Sequence, residues 1–251
     1  ENSIAVISFE NLTGDSRYDS LIKAVPSLFI TKLEAMGFSY VATWERLQDI
    51  LRQLGKDPEK PIDTETGFAI CRKEGIAALV VGKITKAGDV FATDIKVLDA
   101  DTKKSLTSAT SQGQGEDSIL LTQIDDLSSR VVQELGGGLP STEAVPAVSE
   151  MATSSIEAYE SYLKGNEAFY KKVLYAEAQK HYLRAVELDP DFIMAHLGLA
   201  QTYFQQGNEN ALIKSMEKVM ALPEGAIPMD NENYKPCYAE LPTGKGRTRP
   251  T

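Results

Sequence analysis

The sequence predicts an α/β domain, a mixed parallel/antiparallel sheet with flanking helices, followed by an all-α region of helical hairpins. Three observations point to this. Short apolar runs alternate with amphipathic stretches of helical period up to about residue 135. Residues 137–153 are then rich in Gly, Pro, Ser and Ala and lack periodicity, as a linker does. Beyond them the apolar spacing is helical, and one pattern returns after 34 residues. The expected organisation is an α/β domain over 1–136, a linker over 137–153, two helical repeats over 154–224, and an atypical or disordered tail over 225–251.

Ile4 to Phe9 is an apolar run closed by ENLTGD, so it reads as a buried strand and a turn. From Asp19 to Met36, Leu21, Val25, Leu28, Phe29 and Leu33 share one side at helical spacing. Proline is comfortable only in a first helical turn, so Pro26 puts the expected helix start close to Ala24. Phe38 to Ala42 is a second strand. Trp44 to Leu54 is a helix with Leu47, Ile50, Leu51 and Leu54 on one face, Thr43 as N-cap and Gly55 as stop. After the KDPEKP loop, Thr66 to Glu74 is a short helix ending at Gly75.

Ala77 to Lys86 begins as a buried strand, AGD turns the chain, and Val90 to Leu98 returns with Phe91, Thr93, Ile95 and Val97 inward. The Asp99-Ala100-Asp101-Thr102 turn leads to a Ser/Thr-rich strand over Lys104 to Gln112, whose low apolar content fits a sheet edge. Asp117 to Leu135 carries Leu120, Ile124, Leu127, Val131 and Leu135 in one stripe and stops at Gly136-Gly137-Gly138. The order is β-α-β-α-α-β-β-β-α. Strands joined by helices should pair in parallel, and the last three should form an antiparallel meander.

In the second half, Ala178, Tyr182, Ala185 and Leu188 recur 34 residues later as Leu212, Met216, Val219 and Leu222. With hairpins over Ser155 to Leu188 and Phe192 to Leu222, this period resembles tetratricopeptide (TPR) repeats. Such units bury their apolar faces only by stacking, and the stacked solenoid offers a concave surface to other chains. Tyr162, Gly165 and Phe169 take the packing positions of the first helix, and Ala195, Leu199, Ala200 and Tyr203 those of the third. The spacing from first helix to first helix is one residue longer than from second to second, which calls for an extra residue around Lys171-Lys172. A third, partial repeat would begin near Asn231.

The TPR resemblance implies a groove lined by Tyr159, Tyr162, Asn166 and Phe169, then Met194, Leu197, Gln201 and Phe204. Either these face a protein or peptide partner, or several of them pack against the preceding domain or a missing repeat. An aromatic and Met-rich groove suits an apolar or extended peptide. The Lys/Asn pattern by which some TPR proteins clamp a C-terminal carboxylate is not met, because Gln201 stands where a second Asn would be needed.

The first domain resembles the TolB amino-terminal-domain-like module over about residues 2–135. Ile4, Ala5, Val6, Phe9 and Asn11 with Gly14-Asp15 carry the likeness, as do Gly75, Gly82, Gly88-Asp89, Asp99-Ala100 and Thr102. With TPR repeats behind it, the module is similar to the region attached to bacterial receptor-type serine/threonine kinases, CadC-like regulators and some nucleotide cyclases. The resemblance implies a non-catalytic sensing or interaction role in the cell envelope, outside the membrane, although cyclase-like contexts keep such regions cytoplasmic. The Gly and Asp positions read as turn chemistry rather than catalysis.

The 251 residues carry a net charge of −10, against nucleic-acid binding and against a basic membrane patch. No apolar run approaches a membrane span, so no direct membrane insertion is expected. The chain opens at Glu1 directly in a strand, as expected of an excised piece whose targeting or anchoring segment lies upstream. Cys71 and Cys237 are too far apart for a disulfide framework, and His181 and His196 lack helical i, i+4 mates for a metal. No phosphate-binding loop or nucleophile elbow is present. Neither catalytic residues nor a cofactor are expected. Three readings remain: a non-catalytic sensor or interaction module, an α/β ligand- or nucleotide-binding domain with enzymatic activity, and self-association through the helical repeats.

Overall fold

The computed structural model describes residues 3–36, 38, 40–135, 153, 155–221 and 237, and divides into two compact units, Glu1–Ser149 and Glu150–Thr251. The proposed linker, apart from Thr153, and the proposed tail, apart from Cys237, lie outside the described residues.

The first unit holds a six-stranded mixed sheet: β1 (Ser3–Val6), β2 (Glu10–Leu12), β3 (Tyr40–Ala42), β4 (Ala78–Ala87), β5 (Val90–Asp99) and β6 (Ser105–Gln114). The order is β3-β1-β4-β5-β6, with β2 continuing alongside β4 beyond β1. β1 runs parallel to β3 and β4, β2 is parallel to β4, and β4-β5-β6 is an antiparallel meander. This is the expected pairing, with Phe91, Thr93, Ile95 and Val97 all buried.

Its helices are α1 (Leu21–Ala35), α2 (Trp44–Gln53), α3 (Thr64–Glu74) and α4 (Ile124–Leu135). Ala5 and Ile7 face a core built with Leu47, Ile50 and Leu51 of α2 and Phe68, Ile70 and Cys71 of α3. Strand alternation turns Ile4 and Val6 the other way, on the side where α1 packs against β1 and α4. Thr43 caps α2 by accepting from Arg46 N at 3.3 Å, as expected. α3 starts two residues earlier than the apolar pattern indicates, because Asp63 caps it by accepting from Thr66 N at 2.8 Å. Its other end is Gly75 at φ 68°.

Two differences from the expected elements have clear causes. α1 begins at Leu21 rather than near Ala24, with Pro26 inside it. A proline at this point leaves the carbonyl four residues back, that of Ile22, without its helical donor. Phe9 N–H donates to that carbonyl at 3.3 Å, so the helix keeps its proline without an orphaned acceptor. The second difference is β2, which lies in the stretch expected to be a turn. Asn11 bridges there: its Oδ1 accepts from Thr13 N at 3.0 Å, and its Nδ2 donates to Asp15 O at 3.0 Å and Asp19 Oδ1 at 2.7 Å.

The shared aspartates do turn work. Asp15 accepts from Arg17 N at 3.0 Å, and Asp99 accepts from Thr102 N and Oγ1 at 2.7 Å each. The Arg17 side chain and then its backbone N–H hold the Asp15 carboxyl below the ordinary carboxylate range, and the Thr102 N–H and hydroxyl do the same at Asp99. Gly14 and Gly88 supply positive φ at 78° and 63°. Gly82 has a different reason: a Cβ there would lie 2.5 Å from the Phe9 ring.

Candidate protein-interaction site

Among the described residues, the second unit holds four α-helices, α5 (Ile156–Asn166), α6 (Tyr175–Leu188), α7 (Ile193–Gln205) and α8 (Glu209–Met220). α5 packs on α6, α6 on α7 and α7 on α8, so α6 lies against a helix of each hairpin. Ser155 caps α5 by accepting from Ala158 N at 3.2 Å, and Asn208 caps α8 by accepting from Ala211 N at 3.3 Å. Three recurring pairs sit inside: Ala178 with Leu212, Tyr182 with Met216, and Ala185 with Val219. The 34-residue period therefore marks the buried stripe of α6 and its repetition on α8.

Tyr182 is the pivot of the stack. Its ring edge sits in a notch between Gly165 of α5 and Gly198 of α7, where a Cβ would come within 2.5 Å and 2.6 Å of the ring. Its hydroxyl donates to Asn166 Oδ1 at 2.7 Å. Around it, Tyr162 approaches Tyr182 at 5.9 Å and Phe192 at 5.2 Å, and Tyr159 approaches Phe192 at 6.1 Å, all tilted aromatic contacts.

The expected groove residues divide accordingly. Tyr159 and Tyr162 are buried in this aromatic cluster. Asn166 is half-buried and holds the Tyr182 hydroxyl. Phe169 is half-buried and packs on Tyr175 at 5.2 Å. Leu197 is buried and Met194 half-buried, both in a core with Leu212, Met216, Val219 and Cys237. Gln201 is buried, and Phe204 is exposed at 37%.

At the end of α5 an extra residue intervenes. α5 continues as a π-helical turn, Glu167–Lys171, in which Lys172 N donates to Glu167 O at 3.2 Å. The insertion lies just before the expected Lys171-Lys172 position and displaces the helical frame after it by one residue. Tyr170, rather than Phe169, therefore reaches Gln201, its hydroxyl donating to Gln201 Oε1 at 2.9 Å. Tyr170 is 41% exposed and is not among the residues that the repeat pattern points to. Its signal in the sequence is the one-residue excess, which identifies an insertion but not which aromatic side chain it swings outward. Tyr170 thus meets Gln201 across the two hairpins, and Phe204, three residues beyond Gln201 on α7, is also exposed.

His196 lies within 2.9 Å of Pro190 O, and His181 is 3.9 Å from Glu177 on its own helix. Among the described residues, no group of three or more His, Cys, Asp and Glu could hold a metal ion, and no helix is long and apolar enough to cross a membrane. Burial pushes the Cys71 thiol up to about 12 and the Cys237 thiol up to about 11. The stability linked to these thiols is full below the ordinary thiol value and is lost as pH rises through the folded values. At neutral pH the native chain should react with a thiol reagent far more slowly than the unfolded chain. Rapid labelling of Cys237 without unfolding would show that its segment leaves the core of the second hairpin.

Among solved structures, the chain is similar to lipoprotein GNA1162 from Neisseria meningitidis, at 18% identity, TM-score 0.40, 56% of this chain and 100% of that one. It is similar to the LpoB C-terminal domain from Salmonella enterica at 16% identity, TM-score 0.36, and 45% and 83% coverage. It is also similar to TolB from Acinetobacter baumannii at 14% identity, TM-score 0.33, and 55% and 28% coverage. No curated protein matches the sequence. The family model that matches is the TPR repeat, over residues 167–207, the span that holds α6, α7 and the π-helical turn.

Proposed function

We propose that this chain is a non-catalytic interaction module that takes a protein or peptide segment across the surface formed by Tyr170, Gln201 and Phe204. One observation carries the reading: exposed Tyr170 hydrogen-bonds the buried Gln201 across two stacked hairpins, within the span that matches the TPR repeat, and exposed Phe204 follows three residues along α7. Aromatic rings of this kind supply contact area at low entropic cost, and an amide beside them orients a backbone. The sequence resemblance to envelope regulators supports a sensing role outside the membrane, in the extracytoplasmic part of a membrane-anchored protein.

The test is to pan the immobilised chain against a displayed library of random peptides. The affinity of the selected sequences is then measured for the native chain and for Tyr170→Ala with Phe204→Ala. Losing two central aromatic anchors should weaken binding by about tenfold or more. Unchanged affinity would remove this surface from the account. A thermal-shift panel of nucleotides, sugars and metal ions addresses the enzymatic alternative. Strong stabilisation by any of them would favour a ligand site in the α/β unit.

A further inference from the structure

The two edges of the sheet differ sharply. β3 offers three residues, whereas β6 offers ten, Ser105–Gln114, with no proline and no charged side chain. Natural edges of this length are usually blunted by a charge, a proline or a cover. Asp99 N donates to Lys104 O at 2.8 Å, whereas Ala100 N donates to Ala77 O at 2.9 Å, so Asp99 faces β6 and its neighbour faces β4. Alternation along β5 then directs Phe91, Thr93, Ile95 and Val97 toward β6, where they pair with Gly113, Ser111, Ala109 and Thr107. Ser108, Thr110 and Gln112 are left with backbone N–H and C=O groups pointing out of the sheet. Among the described residues no strand pairs with that side.

The charges stand only at the two ends. Lys103 and Lys104 precede β6, and Glu116 and Asp117 come after it. We infer that β6 pairs antiparallel with β6 of a second copy of this chain, joining two sheets across a two-fold axis at Thr110. In this register Ser108 lies opposite Gln112, and Leu106 opposite Gln114. A bulge in β6 opposite Val97 and Leu98 shifts the register there by one residue, so the Lys103–Lys104 end as a whole, with Lys103 already holding Glu65 at 2.8 Å, comes to the Glu116–Asp117 end of the second copy. A parallel pairing would set lysine against lysine and carboxylate against carboxylate. The strand's own side chains are neutral, and Asp94 of β5, which accepts from Thr110 Oγ1, has Lys83 of β4 at 3.8 Å. The exposed Leu106 gains cover.

The test is the mass of the full chain by sedimentation over a range of concentrations. The native chain should approach twice its 27.4 kDa. Thr110→Pro removes one outward N–H and none of the inward ones, so it should yield a monomer whose sheet stays folded. Lys104→Glu should weaken the dimer by roughly tenfold, through two symmetric like-charge pairs, and Lys104→Glu with Glu116→Lys should restore it. The charge pair keeps the inference testable if the proline variant fails to fold. A chain that stays monomeric throughout, or a dimer indifferent to these substitutions, would overturn the inference. So would a monomer whose edge instead captures a strand-forming peptide.

Discussion

Gly198→Val and Gly165→Val should each destabilise the helical unit by about 1–2 kcal/mol, although helix propensity alone gives the opposite sign. Replacing a glycine inside a helix ordinarily gains about 0.5–1 kcal/mol through backbone entropy. Here a Cβ would meet the Tyr182 ring at 2.6 Å from Gly198 and 2.5 Å from Gly165. The ring has no room to retreat: it is fully buried, notched by both glycines, and tethered through its hydroxyl to Asn166. Overpacking of this kind costs about 1–3 kcal/mol and occasionally more, so the clash wins. Chemical denaturation monitored by helical circular dichroism would measure it. Tyr182→Leu combined with Gly198→Val should lose less than the sum of the two single changes, because the smaller side chain vacates the space. Strict additivity would mean that the notch is not where the strain arises.

The second large effect belongs to the sheet unit. Lys32 of α1 and Asp125 of α4 form an ion pair at 2.8 Å, with the lysine side chain 6% exposed and the aspartate 21%. Asp125→Leu removes this carboxylate from a nearly buried ammonium group, which should cost about 3 kcal/mol. Lys32→Met together with Asp125→Leu should return close to native stability, because well-packed apolar replacements of a buried pair are often neutral or better. Surface pairs provide the control. Arg184 and Glu157 lie 2.9 Å apart but are both more than half exposed, so Glu157→Gln should change stability by less than about 1 kcal/mol. Comparable losses at both sites would contradict the part assigned to burial.

Much of the architecture is legible because the core has simple periodicities. The stripe Leu47, Ile50, Leu51 marks α2, the alternation Phe91, Thr93, Ile95, Val97 marks β5, and the recurrence of Ala178, Tyr182 and Ala185 marks the hairpins. What escapes is what local pattern does not encode. Pro26 looks like a helix boundary, yet a backbone donor from Phe9 compensates for it across the fold. β2 is three residues long and pairs with a strand some seventy positions away, so no alternation marks it. The candidate site is half legible. α7 is regular throughout, with Gln201 buried and Phe204 exposed three residues later. On α5 the π-helical turn displaces the frame, so that the pattern points to Phe169 where Tyr170 makes the contact. It also points to Tyr159 and Tyr162 as groove residues, but large aromatics at helical spacing fit a core as readily as a docking surface.

Backbone hydrogen exchange of the full chain, free and saturated with a library-selected peptide, tests the proposed docking surface most directly. The account predicts new protection concentrated at the end of α5, through the π-helical turn to Tyr170, and along α7 around Gln201 and Phe204, with the sheet unit unchanged. Protection confined to the strands of the first unit, or a library that yields no binder at all, would contradict it.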